Sequence, residues 1–304
     1  MKHRTAAGPI LVCLALWATG CASTPSSGGC QKVGGPLRNV SGMALASHEV
    51  SPQGAATSQF LVVHDNKAAG QPRVGAVDVG PSVRYRPLAW PRGGEPPADL
   101  EAIASVPGTP GSFLALTSTG RLLHLRFSGG GAIDVLHESQ LPGLPESANL
   151  EGFAVQSVGG EGVALWADRG DGDRPAVLYW GVYDPVADVV TPQGRQPIKV
   201  SFPPGGHTRH VTDLKVDRDG TVWGAAASDP GDAGPFESAF YRLGTVSADD
   251  GRATFVPDAS PRPLWTTTRK VEALELLPGA AGLVYFGADD ETAGGWLYVG
   301  RRQP

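Results

Sequence analysis

The sequence predicts an all-β protein, a five-bladed β-propeller of four-stranded blades. Three observations carry this. Glycine (42 residues) and proline (27) are abundant in a chain of 304 whose hydrophobic fraction is still 41%, a balance that favours many short strands and turns over long helices. A six-residue motif recurs: DLEAIA at residues 99–104, NLEGFA at 149–154 and KVEALE at 270–275, with weaker relatives in NVSGMALA from Asn39 and HVTDLKV from His210. Aligned, these put Ser41, Glu101, Glu151, Thr212 and Glu272 in one column at spacings of 60, 50, 61 and 60, and fixed-period similarity on that scale marks a repeat architecture.

Each repeat continues in the same order. The motif strand is followed by a turn and a second apolar strand: FLVVHDN, FLALTST, VALWADR, VWGAAASD and LVYFGADD. A third strand comes next, as in RVGAVDV, RLLHLRF, AVLYWGVYD, AFYRLG and WLYVG, and a fourth is visible in VRYRPLAW and AIDVLHE. Four short strands per unit around a ring define a propeller. The chain stops just after the third strand of the fifth unit, so residues near Gln31–Leu37 are expected to supply its fourth, which also removes an open sheet edge. A second column, Asp65, Ser118, Asp168, Ser228 and Asp289, ends the second strands. It lies 16 or 17 residues past the first column in four repeats and 24 in the first, where ASHEVSPQGAATSQ lengthens the turn.

The N-terminus reads as a targeting segment. Lys2, His3 and Arg4 precede an apolar run from Pro9 to Trp17, too short to span a membrane, and then ATGC. The expected organisation is a signal peptide over 1–20, a lipidated tether over 21–30 beginning at Cys21, and one propeller domain over 31–304. This implies an exported monomer, lipid-anchored to the bacterial cell envelope and in contact with the membrane by its anchor alone. With Cys13 in the signal and Cys21 acylated, Cys30 is expected to stand alone, without a disulfide. The net charge of −5 and the lack of a long basic run exclude a nucleic-acid polymer as partner.

In a propeller the innermost strands line the axis, so the first column becomes a ring of three glutamates and two hydroxyls. Like charges at about 4 Å repel by around 4 kcal/mol at a typical protein dielectric, and protons or a cation must relieve this. Five hard oxygen donors suit Ca²⁺. Ser41, Glu101, Glu151, Thr212 and Glu272 are therefore the expected metal ligands, and calcium the expected cofactor. Three residues before the ring stand Arg38, Ala98, Ala148, Arg209 and Arg269, and His210 and Lys270 follow two of the arginines. Arg38, Arg209, His210, Arg269 and Lys270 form an expected basic arc for a small anion, and Asp65, Asp168 and Asp289 are candidates to orient water. No G-x-S-x-G elbow, H-E-x-x-H or phosphate-cradling glycine loop occurs.

The ordered set VSGMA, DLEAIA, NLEGFA, VTDLKV and VEALEL resembles the SdiA-regulated lipoprotein family and the related esterase-like phytase propellers, over about residues 39–299. The order Ser, Glu, Glu, Thr, Glu is also similar to the calcium-binding hub of five-bladed calcium-activated nucleotidases (apyrases), with Thr212 in place of a serine. These resemblances imply a propeller with calcium at its hub. The expected function is hydrolysis of a phosphoric ester such as a nucleotide or a phytate-like anion. The alternative is a noncatalytic envelope module that binds or scaffolds a protein, with the metal purely structural.

Overall fold

A computed structural model describes residues 29–279 and 282–301. The sequence expectations for the signal peptide, the tether before Gly29 and Cys21 lie outside the described residues. Cys30 is disulfide-bonded, which corrects the expectation of a lone thiol.

The chain forms five antiparallel sheets in sequence order. After β1 (Gln31–Lys32), blade one holds β2 (Gly42–Val50), β3 (Ala56–Val63), β4 (Val74–Val79) and β5 (Val83–Pro87). Blade two holds β6 (Leu100–Ser105), β7 (Ser112–Thr117), β8 (Arg121–Arg126) and β9 (Asp134–Gln140). Blade three holds β10 (Leu150–Val158), β11 (Glu161–Asp168), β12 (Ala176–Asp184) and β13 (Val189–Ile198). Blade four holds β14 (Thr208–Val216), β15 (Thr221–Ser228), β16 (Glu237–Asp249), β17 (Arg252–Pro257) and β18 (Pro263–Thr267). Blade five holds β19 (Val271–Leu276), β20 (Leu283–Asp289) and β21 (Gly295–Arg301) and is completed by β1, which pairs antiparallel with β21 through Gln31↔Leu297 and Lys32↔Trp296. The expected closure by the N-terminal strand is thus present. No helix among the described residues is long and apolar enough to cross a membrane.

Two details differ from the sequence expectation. The insertion in the first repeat is not a long turn. It extends β2 and β3 into a longer hairpin, with His48↔Ser58 and Val50↔Ala56 still in register, because its residues can continue the ladder. Blade four carries a fifth strand, because the thirteen-residue β16 is long enough to pair with both β17 and β18.

The core lies between blades. One apolar cluster joins each adjacent pair, including blades five and one, where Val40, Met43, Phe60 and Val62 pack with Ala273 and Leu297. The innermost strands β2, β6, β10, β14 and β19 touch in that cyclic order, which brings the first column to the axis. The register explains why glutamate can stand there. In β6, β10 and β19 the pairing skips Glu101, Glu151 and Glu272 respectively, so each is the extra residue of a β-bulge. A bulge leaves its residue out of the ladder and re-aims its side chain, here toward the axis.

Candidate active site at the propeller axis

The axial carboxylates fall into two groups. On blades three to five each meets a cation. Arg169 Nη1 and Arg209 Nη1 lie 2.8 Å and 3.0 Å from Glu151 Oε1. Arg209 Nη1 is also 2.8 Å from Glu272 Oε1, and its Nη2 holds Asp229. Lys270 Nζ lies 3.0 Å from Glu272 Oε1, 3.7 Å from Asp229 and 3.9 Å from Asp289, and contacts Glu291. Burial alone would lower the Arg209 and Lys270 pKa values, but the surrounding carboxylates outweigh it and raise both. Asp229 is conversely held below the ordinary aspartate value: burial pushes it up, and Lys270 and Arg209 overcome that.

On blades one and two the picture changes. Asp99 has Lys67 Nζ at 3.0 Å and accepts the Ser118 hydroxyl at 2.5 Å. Asp65 and Glu101 have no side-chain hydrogen bond or ion pair among the described residues; the backbone N–H of Asp65 donates to Ser41 Oγ at 3.2 Å. Both are only partly buried, so their carboxyls are reachable. Asp65 is pushed up to about 6, first by burial and then by the charge of Glu272. Glu101 is raised well above the ordinary glutamate value, by burial and then by Glu151, Asp99, Glu272 and Asp65. Glu151 Oε2 is itself buried without a hydrogen-bond partner. Beside Asp65, burial lowers the pKa of His64 to about 4, so its ring is neutral at pH 7. It bridges the Asn39 carbonyl (2.5 Å) and the Tyr85 hydroxyl (3.0 Å).

The five expected calcium ligands do not converge on a common point. Ser41 Oγ accepts from a backbone amide, Thr212 Oγ1 donates to the Val271 carbonyl at 2.7 Å, and Glu151 and Glu272 bind arginine and lysine. Cations of the protein stand where the ion would stand, and no cluster of three or more His, Cys, Asp or Glu among the described residues is disposed to hold a metal. The set does not fit calcium.

The expected basic arc is also dispersed. Arg209 and Lys270 reach the axis but are engaged by carboxylates. Arg38 lies over the Tyr85 ring at 4.9 Å. Arg269 binds Asp290 at 2.5 Å and lies over Trp296, and His210 Nε2 contacts the Gly172 carbonyl at 2.8 Å. Of the second column, Asp168 accepts the Asn149 and Gly170 amides and Arg174, and Asp289 accepts the Glu291 amide, so Asp65 alone of the three keeps an unengaged carboxyl. The residues just after that column, Asn66, Thr119, Arg169, Asp229 and Asp290, are all polar. That third column was a readable signal for Arg169 and Asp229, which the sequence reading missed.

On the same face two cavities of about 650 and 530 Å³ meet at Trp90. One is lined by Arg38 and Tyr85. The other reaches Lys67 and Ala98, next to Asp99.

Fold and site together define a five-bladed propeller with an asymmetric, carboxylate-rich axis. No family model matches the sequence, and no curated protein matches it. Among solved structures, the chain is similar in fold to a family-43 endo-arabinanase from Bacillus licheniformis (9% identity, TM-score 0.48, 89% of this chain and 96% of that one). It is also similar to a thermostable family-43 glycoside hydrolase (8% identity, TM-score 0.49, 88% and 90%). At this level the likeness concerns the fold alone. The expectation of a calcium-dependent phosphoric-ester hydrolase, and of a structural metal at the hub, is corrected. The cations assigned to phosphate and the carboxylates assigned to metal pair with each other instead.

Proposed function

We propose that the axis is an acid–base site that hydrolyses a glycosidic bond in a neutral, polyhydroxylated substrate. One observation carries this reading: Asp65 and Glu101 are reachable axial carboxyls with no side-chain partner among the described residues, Asp65 pushed up to about 6 and Glu101 raised well above the ordinary glutamate value. A pair set apart in this way divides into acid and base at one pH. Glu101, still protonated, gives its proton to the leaving oxygen as the C–O bond breaks. Asp65, ionised above about pH 6, takes a proton from the water whose oxygen forms the new bond.

Several features favour an acetal over an ester of phosphate. Arg209 and Lys270 are already bound to carboxylates, so they are not available for an anion. A partly buried carboxylic acid answers the need of a glycosidic leaving group for a proton. Trp90, which lines both cavities, offers an amphipathic ring of the kind that packs on a sugar face. The resemblance to SdiA-regulated and esterase-like phytase propellers rests on the motif order, and its SdiA-regulated branch brings no defined reaction with it. An exported protein anchored through Cys21, as its N-terminus suggests, would meet envelope or environmental glycans.

The test is a panel of chromogenic and natural glycosides. Activity should rise as pH passes about 6, where Asp65 ionises, and fall where Glu101 ionises. Failure of every glycoside at pH 6–8, or a turnover indifferent to Glu101→Gln, overturns the reading.

A further inference from the structure

A second group of reactive side chains lies away from the axis, between blades two and three. Ser112 opens β7, His124 lies in β8, and Asp188 sits in the hairpin joining β12 to β13. The Ser112 hydroxyl hydrogen-bonds His124 Nε2, and Asp188 Oδ2 lies 2.7 Å from His124 Nδ1. Asp188 is itself fixed: the Tyr183 hydroxyl donates to Oδ1 at 2.8 Å, and His137 Nδ1 lies 3.1 Å from Oδ2.

A carboxylate against Nδ1 keeps the proton of a neutral imidazole on that nitrogen. Nε2 is then the acceptor, and the serine hydroxyl must be the donor. A serine donating to a base that is oriented by a third group is the arrangement that activates an oxygen nucleophile. Satisfying a buried hydroxyl would need the histidine alone. Here the chain also holds Asp188 in the left-handed region at φ 55°, a conformation that costs energy in a non-glycine residue. The hairpin that holds it there is tightened by Asp184 Oδ1, which accepts the Val186 and Ala187 amides at 2.8 and 3.1 Å. The His124 and Asp188 side chains are 14% and 16% exposed and Ser112 is 5% exposed, so access is narrow and suits a small acyl group.

We infer that Ser112 is an activated nucleophile that takes the acyl group of small carboxylic esters, with His124 as its base and Asp188 as the residue that positions His124. The Ser112 oxygen bonds the ester carbon, its proton passes to Nε2, and the ester C–O bond breaks with the alkoxide leaving as the alcohol on that proton. Water then repeats the sequence on acyl-Ser112, restoring the hydroxyl and releasing the carboxylic acid. This activity is independent of the axial site.

The experiment treats the protein with p-nitrophenyl acetate and, separately, with a fluorophosphonate, and maps the modified peptide by mass spectrometry. The expected result is one acetyl or phosphonyl group per chain, on Ser112. Labelling should vanish in Ser112→Ala and slow at least about 100-fold in His124→Ala. Asp188→Asn, which keeps the side-chain shape, should slow it as well and covers the case in which His124→Ala fails to fold. Glu101→Gln should leave labelling unchanged. An unlabelled Ser112 in the folded parent, or an equal labelling rate in folded His124→Ala and Asp188→Asn, overturns the inference and leaves a hydrogen-bonded strut.

Discussion

The two sides of the propeller axis receive the same residue type from the same β-bulge and treat it differently. On blades three and five, Glu151 and Glu272 are held by Arg169, Arg209 and Lys270. On blade two, Glu101 faces Glu151, Asp99 and Asp65 and has no ion pair among the described residues. A paired buried charge fixes geometry, and removing one partner exposes the full desolvation cost of the other. An unpaired one is relieved by a proton instead, which raises its pKa at the expense of stability. The repeat therefore supplies five equivalent positions, and the pairing decides which of them are structural and which are free for chemistry.

The comparison breaks most readily at Arg209, which touches Glu151, Glu272 and Asp229. Arg209→Met should lower the unfolding free energy by about 3–5 kcal/mol in urea titration at pH 7. A loss below about 1 kcal/mol would mean that the paired side is not what holds the axis together.

The unpaired side should respond in the opposite direction. Glu101→Gln should reduce glycoside turnover at least 100-fold and make the fold more stable at pH 7, since it removes a carboxyl with raised pKa. A variant that loses both activity and stability would assign Glu101 a structural role.

Asp65→Asn sharpens the contrast through pH. The folded pKa of Asp65 is raised to about 6, so its contribution to stability is present below the unfolded aspartate value and lost as pH rises through about 6. The variant should therefore gain on the parent between pH 4 and 7, by about 1–2 kcal/mol after discounting for partial exposure. His64, whose pKa is lowered by burial, stabilises in the other direction over the same range, so the difference between variant and parent is the quantity to read. The smallest effect is expected at Trp90. Trp90→Ala should raise KM a few-fold with kcat unchanged, and a kcat loss of equal size would move Trp90 into the reacting centre.

Much of this molecule was legible in its letters. The five motifs located every innermost strand, the second column marked the ends of the second strands, and the missing fourth strand of blade five pointed to Gln31. The glutamates were correctly sent to the axis. What the letters could not carry was the pairing. Arg209 reaches Glu272 sixty-three residues away and Glu151 fifty-eight away. An arginine beside a carboxylate ring reads equally well as an anion site or as the counter-ion of that ring. The ring alone points to calcium because the cations that pair with it come partly from outside the first two columns, as Arg169 does. The Ser112–His124–Asp188 group was invisible for a similar reason. It follows no motif, and its members meet only because adjacent blades bring a strand and a hairpin together.

The most direct test is a titration of the side-chain carboxyl carbons by NMR, with Asp65→Asn and Glu101→Gln used for assignment. The account predicts that Asp65 titrates near pH 6 and that Glu101 stays protonated above the ordinary glutamate range. If both instead titrate near pH 4, the unpaired side holds ordinary carboxylates, and the acid–base reading of the axis is wrong.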